Sequence, residues 1–244
     1  TDAYAVIFSV PFVLFASFST AITTVMIPIV AKHRLTGSKL SASGNNEVWT
    51  LFHSLLLLLA VVLVILLFAV DQIVALIAPG FTDETRGLAR RLSLIMFPGI
   101  VFIGLNGWMQ AVYNSSGNFT TPAAAALSVN LILILGSYFL GRMYGIEAVA
   151  WISLLAMAAQ VLLQWPGLRR IGLASYKAVL MWHDRNVLGV FKRSMPVLLG
   201  TSVLQLCQII DRAQATSLPA GSAAALGFAW RLIALLLSTL VQPL

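Results

Sequence analysis

The sequence predicts an all-α, polytopic bundle of transmembrane helices, and three observations carry that prediction. Hydrophobic residues make up 59% of the 244 positions and charged residues only 9%, too little polar surface to coat a soluble globule. The apolar residues fall in long unbroken runs, unlike the short alternating segments of a membrane β-barrel, and the mean hydropathy is +0.94. The basic residues, which leave a net charge of +7, cluster between those runs, as membrane topology requires. They form no basic patch with interleaved aromatics, so the charge does not point to nucleic acid.

Seven spans follow in order. Residues 4–30 are uncharged and long enough to cross a bilayer with some tilt, with Pro11 and Pro28 as points where a helix bends or ends. A polar linker rich in Ser, Gly and basic residues, 32–46, separates them from 48–70, the most hydrophobic run. Being apolar all round, that second span is expected to offer a broad face to lipid. His53 near its start reads as a packed or interfacial histidine, because no second ligand stands at metal spacing. After the break at Ala78-Pro79-Gly80-Phe81, span three runs over 88–113. Arg90 and Arg91 at its start are placed to snorkel towards headgroups, and Pro98-Gly99 lies at its middle. Gly104 and Gly107 are further candidate bend points.

Span four is expected at 123–140 and span five at 148–165, with 142–147 as the turn between them and Pro166-Gly167 as the stop. Residues 168–192 form the longest polar connection. The last two spans, 192–216 and 223–244, flank the turn Ser217-Leu218-Pro219-Ala220-Gly221-Ser222. This divides the chain into 1–166, an N-terminal helical lobe; 167–191, a basic cytoplasmic linker; and 192–244, the first two helices of a second lobe. The chain opens at Thr1-Asp2 and stops at Leu244 in an apolar stretch, which is expected of a piece of a longer transporter.

Alternation puts the loops at 32–47, 114–122 and 166–193 on one side, rich in Lys and Arg and expected to be cytoplasmic. The opposite side mixes Arg86, Arg90, Arg91, Arg142 and Arg212 with Asp71, Asp83, Glu84, Glu147 and Asp211. The lone cysteine, Cys207, excludes an internal disulfide and reads as a small buried residue.

No catalytic constellation is visible: the three histidines are scattered, and nucleophile elbow, phosphate loop and zinc spacing are missing, so neither enzyme, cofactor nor metal is expected. The informative residues are those a bilayer penalises, among them Asp2, Asn106, Gln110, Asn130, Gln160, Gln205, Gln208, Asp211, Arg212 and Arg231. Gln205, Gln208 and Arg212 share one helix face by their spacing, with Asp211 beside them. For any of the amides, helix-to-helix hydrogen bonding is the competing reading. Arg231 stands apart, because an arginine at the centre of a span costs about 2.5–3.5 kcal/mol unless it faces a wet cavity or a partner. Its planar fork suits phosphate, and two readings stand: an anionic ligand in a cavity between helices, or an ion pair with Asp211 or Asp2.

Four blocks of sequence carry a family resemblance: TDAY with the following VP and IP at the start, IAPGF after the second span, FPGI through GLNGWMQAVYNSSGNFTTPA, and MPVLLGTSVLQLCQIIDRAQATSLPAGSAAALGFAWRL at the end. Together they resemble the MurJ/MviN family of lipid II flippases, within the multidrug, oligosaccharidyl-lipid and polysaccharide exporter superfamily. Members of that family have fourteen helices, so the resemblance implies spans two to eight. It implies translocation of an undecaprenyl-pyrophosphate-linked peptidoglycan precursor across a bacterial plasma membrane through a cationic cavity. Arg231 is then a pyrophosphate ligand and Asp2 a functional carboxylate. The alternatives are a related exporter of lipid-linked oligosaccharides or drugs, whose cavity would centre on carboxylates in the drug case, and a membrane scaffold that transports nothing.

Overall fold

The structure, a computed structural model, describes Tyr4, Val6, Ile7, residues 42–171, 173, 196, 199–200, 203, 207–211, 213–219 and 221–240. Among the described residues every regular element is helical. The first long helix, α1 (Ala42–Phe68), begins earlier than its apolar run because Ala42–Asn46 add a first turn, and α2 (Val70–Ile77) extends it past Ala69. From Glu47 to Phe52 it is buried all round; beyond that its burial is one-sided, with Leu55, Leu59, the partly buried Val62 and Leu66 facing the core while Leu57, Val61, Val64, Ile65 and Phe68 are exposed. That spacing of three and four is the helical repeat, drawn by packing on a segment whose own composition barely distinguishes its faces.

Span three is two helices, α3 (Asp83–Met96) and α4 (Gly99–Ser115), bent by 42° at the Phe97-Pro98 step. The bend falls where proline removes a backbone donor, and not at Gly104 or Gly107, which remain inside the continuous α4. Gly104 serves a different purpose: a Cβ there would stand 2.6 Å from Leu59 Cδ1, so the glycine lets α1 lie close against α4. The start of α3 is built from local chemistry. Thr82 Oγ1 accepts a hydrogen bond from the Thr85 backbone N–H at 3.4 Å, and Asp83 and Glu84 stand at the positive end of the helix dipole.

Helix α5 (Thr120–Gly136) widens into a π-helical turn at Ser137–Gly141 and continues into α6 (Arg142–Gln164), whose backbone leaves helical geometry at Gly145. The reversal is therefore one residue, tighter than the expected turn at 142–147. It divides an apolar run from Thr120 to Arg169 into two antiparallel spans. Gly136 lies against Ile152 and Gly141 against Val149 across the hairpin. The α-helix ends at Gln164, next to the expected stop at Pro166-Gly167, and a 3-10 helix follows over Trp165–Ile171, with Leu168 and Leu173 buried. The final helix, α7 (Ser222–Leu240), follows a helical stretch at 207–211 and 213–215. Cys207 is exposed, a correction to its expected burial: it lies on a helical stretch whose neighbours Val203 and Ile210 are exposed as well. The first expected span is represented by Tyr4, Val6 and Ile7, which are helical, the two aliphatic side chains fully buried; the rest of 4–30 lies outside the described residues.

The two ends of the bundle differ chemically, and loops expected on one side meet there. At one end Trp49, Phe52, Trp108 and Trp165 stack edge to face or tilted, and the Tyr113 hydroxyl donates to the Gln164 carbonyl. His53 belongs to this cluster, its Nδ1 donating to the Trp49 carbonyl at 2.6 Å. At the other end Arg90 Nε donates to Asp71 Oδ1 at 2.8 Å and Arg91 Nε lies 3.1 Å from Glu147 Oε1. These arginines therefore join helix ends instead of extending alone to headgroups. The pairs are more than half exposed on at least one side, so each contributes about 0–1 kcal/mol.

Gly145 has φ 74° and ψ −159°, a region open essentially only to glycine, yet nothing stands within 4 Å of a Cβ built there. Gly145→Ala is expected to lower stability by about 1–3 kcal/mol through backbone strain alone. Gly87→Ala, inside α3 with equally open surroundings, is expected to raise it by about 0.5–1 kcal/mol. Thermal unfolding in detergent checks both, and equal effects would remove the backbone explanation.

Candidate functional site

Several polar residues at membrane depth gather along one seam, while Gln110 and Asn130 are exposed. Ser153 Oγ donates to the Val149 carbonyl at 2.8 Å, the common resting place of a serine inside an apolar helix. With that proton committed, the Tyr4 hydroxyl donates to Ser153 Oγ at 2.7 Å, tying the first helix to α6. Two helices distant in sequence thus bring a phenol and a hydroxyl into contact.

On the far side of Ser153 a pocket of about 130 Å³ opens between α4, α5 and α6. Phe102, Ile103, Val129, Leu133 and Met157 make it mostly apolar, and Asn106, Ser153 and Gln160 supply its polar groups. Behind it Gln164, fully buried, donates from Nε2 to Asn106 Oδ1 at 2.7 Å and to the Gln160 carbonyl at 3.2 Å. Its Oε1 is buried without a hydrogen-bond partner among the described residues. Ser153, Met157, Gln160 and Gln164 recur at four, three and four residues, so they share one face of α6.

Arg231 itself is exposed on α7, its guanidinium carbon 5.8 Å from the centre of the Phe228 ring one turn earlier. It makes no ion pair with Asp211 among the described residues, and the pocket beside Ser153 is not lined by it. Asp211 is exposed and Gln208 half-buried on the 207–215 helical stretch. Asp2, Gln205 and Arg212 lie outside the described residues. Reading the sequence for penalised polar residues found Asn106 and Gln160 but missed Tyr4, Ser153 and Gln164. The repeat of polar residues along 153–164 was the available signal for the last two. A tyrosine near the end of an apolar run carried none.

Comparison with known proteins follows this geometry. The family model described as lipid II flippase MurJ matches residues 1–242. The probable lipid II flippase MurJ of Buchnera aphidicola subsp. Acyrthosiphon pisum is 27% identical over 242 residues, covering 96% of this chain and 46% of the relative. The lipid II flippase MurJ of Burkholderia cenocepacia is 28% identical over 250 residues, covering 96% and 46%. A solved structure titled lipid II flippase MurJ, inward closed conformation, superposes with a TM-score of 0.77 at 22% identity over 96% of this chain and 48% of that one, a likeness of fold. The chain spans about half the length of the curated relatives it matches.

The Asn106–Gln164 pair yields a double-substitution test. Asn106→Leu alone strands a buried amide and is expected to cost about 1–3 kcal/mol, whereas Asn106→Leu with Gln164→Leu is expected to be nearly neutral. Unfolding midpoints in detergent report both, and additive losses would show that the two amides do not act as a pair.

Proposed function

The chain belongs to the MurJ lipid II flippase family, and from that membership we propose that it moves a lipid-linked pyrophosphate, lipid II, across the plasma membrane of a bacterium. The family is one of transporters and not of enzymes. In this reading the two helical lobes rock against each other and open a central space alternately to each side, while the polyprenyl tail remains in lipid. The aromatic end, from which the Lys- and Arg-rich loops depart, faces the cytoplasm. The end carrying the Asp71–Arg90 and Arg91–Glu147 pairs faces outward.

The observation that carries the substrate assignment is Arg231. It is a permanently charged, planar donor within an otherwise apolar helix, exposed, without a carboxylate partner among the described residues. A membrane tolerates such a group where it meets water or an anion, and a pyrophosphate offers the bidentate geometry that a guanidinium fits. Tyr4 and Ser153, hydrogen-bonded to each other, are proposed to supply hydroxyls to the same path. Asp2, Gln205, Gln208, Asp211 and Arg212 are proposed as the polar remainder of the substrate path, where an acid beside the arginines would help release a bound anion. Surrounding lipids are its other partners, and no nucleic acid, cofactor or metal enters the reading.

Translocation of lipid II, measured by its accessibility on the outer leaflet in cells depleted of the native protein, provides the test. Arg231→Ala is expected to lower the rate at least about tenfold, the equivalent of 1.4 kcal/mol. Arg231→Lys, which keeps the charge and loses the fork, should fall between. Undiminished transport in Arg231→Ala would remove this arginine from the mechanism, and export of a cationic drug instead would reassign the substrate.

A further inference from the structure

We propose that the pocket between α4, α5 and α6 is a binding site for a small neutral molecule, about one six-membered ring in size, that carries a single hydroxyl. At about 130 Å³ the pocket approaches the cavity of about 150 Å³ that takes up benzene when lined by Leu, Ile and Phe alone. Its walls are of the same kind. Phe102 from α4, Val129 and Leu133 from α5 and Met157 from α6 require that the body of the ligand be apolar. Met157 adds adaptability, because an unbranched thioether adjusts to the shape it meets. Every residue that lines the pocket is among the described ones, and none of them is charged.

The polar edge of the pocket has hydrogen-bonding capacity to spare. Ser153 contributes little of it, since its proton goes to the Val149 carbonyl and its oxygen accepts from Tyr4. Asn106 and Gln160 are different. Gln164 places one end of its amide 3.2 Å from the Gln160 carbonyl and 2.7 Å from the Asn106 side chain. A carbonyl only accepts, so that end is the nitrogen, and the Asn106 atom it meets is therefore the oxygen. The Asn106 Nδ2, with two N–H donors, has no partner among the described residues, and no side-chain atom of Gln160 makes a hydrogen bond among them. Asn106 and Gln160 line the pocket and Gln164 does not, so the unused amide groups are the ends offered to it. A hydroxyl answers both: it accepts from Asn106 Nδ2 and donates to Gln160 Oε1. A charged group would find no countercharge there, and a molecule without a polar atom would leave both amides unsatisfied. Arg231 does not line this pocket, and the inference stands apart from the flippase reading.

The test uses the protein at its native length in lipid nanodiscs, with 4-fluorophenol and 4-fluorotoluene as probes read by fluorine NMR. Empty nanodiscs serve as the blank for partition into lipid. 4-Fluorophenol is expected to bind saturably above that blank, about tenfold tighter than 4-fluorotoluene, which has the same ring and no hydroxyl. Gln160→Met keeps the volume and removes the amide, so it should weaken the phenol towards the affinity of the toluene and leave the toluene unchanged. Leu133→Trp, which fills the pocket from α5, should abolish saturable binding of both probes. Uptake no greater than that of empty nanodiscs would overturn the proposal, as would equal affinities in the native protein. Phenol binding that Gln160→Met leaves untouched, or that survives Leu133→Trp, places the probe elsewhere and overturns it too. If Leu133→Trp does not fold, Gln160→Met decides alone, because it compares two probes on one protein.

Discussion

Hydrocarbon offers no hydrogen bonds, and every feature of this chain answers that constraint. Helices satisfy their own backbone, and the small polar side chains inside them turn back on carbonyls of the same helix. Thr50 donates to Asn46, Ser54 to Thr50, Ser93 to Ala89, Ser115 to Ala111 and Ser153 to Val149. Each of these hydroxyls is thereby made compatible with an apolar setting. Some of what cannot be absorbed locally is carried to the two ends or gathered into the seam that runs from Tyr4 and Ser153 to Asn106 and Gln164.

Because lipid tails are as apolar as leucine, helices in such a chain gain little by hiding apolar side chains from their surroundings. They gain by approaching closely, and glycine sets the distance. Gly104 admits Leu59, Gly136 admits Ile152, and Gly167 sits against the Tyr113 hydroxyl. In the first two the neighbour is a side-chain end, which has some freedom to adjust. At Gly80 the neighbour is the Thr216–Ser217 backbone, which has none.

The pyrophosphate reading and the seam support one another through chemistry. An anion entering a low-dielectric wall needs a fixed positive charge and donors already in place, since reorganising polar groups there is costly. In the proposed reading Arg231 would supply the charge, while the mostly apolar pocket beside Ser153 lies between α4, α5 and α6. The Asn106–Gln164 bond ties α4 to α6 behind that pocket and keeps its wall in register.

Composition and periodicity alone determined that this is a helical membrane protein, where most of its spans run and which loops share a side, and they marked Arg231 as a group a bilayer penalises. Those properties follow from local and additive physics: apolar length against bilayer thickness, proline at the Pro98 bend, charge between runs. Tertiary structure decided the rest. It chose the buried face of α1, which is apolar all round and so carries no internal mark of inside and outside. It placed the hairpin reversal on Gly145 alone, left Cys207 exposed, and assigned Gly80 to a neighbour more than a hundred residues away. It also joined Tyr4 to Ser153 across the same kind of distance. None of these is written in a single helix, because each depends on which surfaces meet, and in a medium as apolar as the helices themselves only the detailed fit of one surface to another makes that choice.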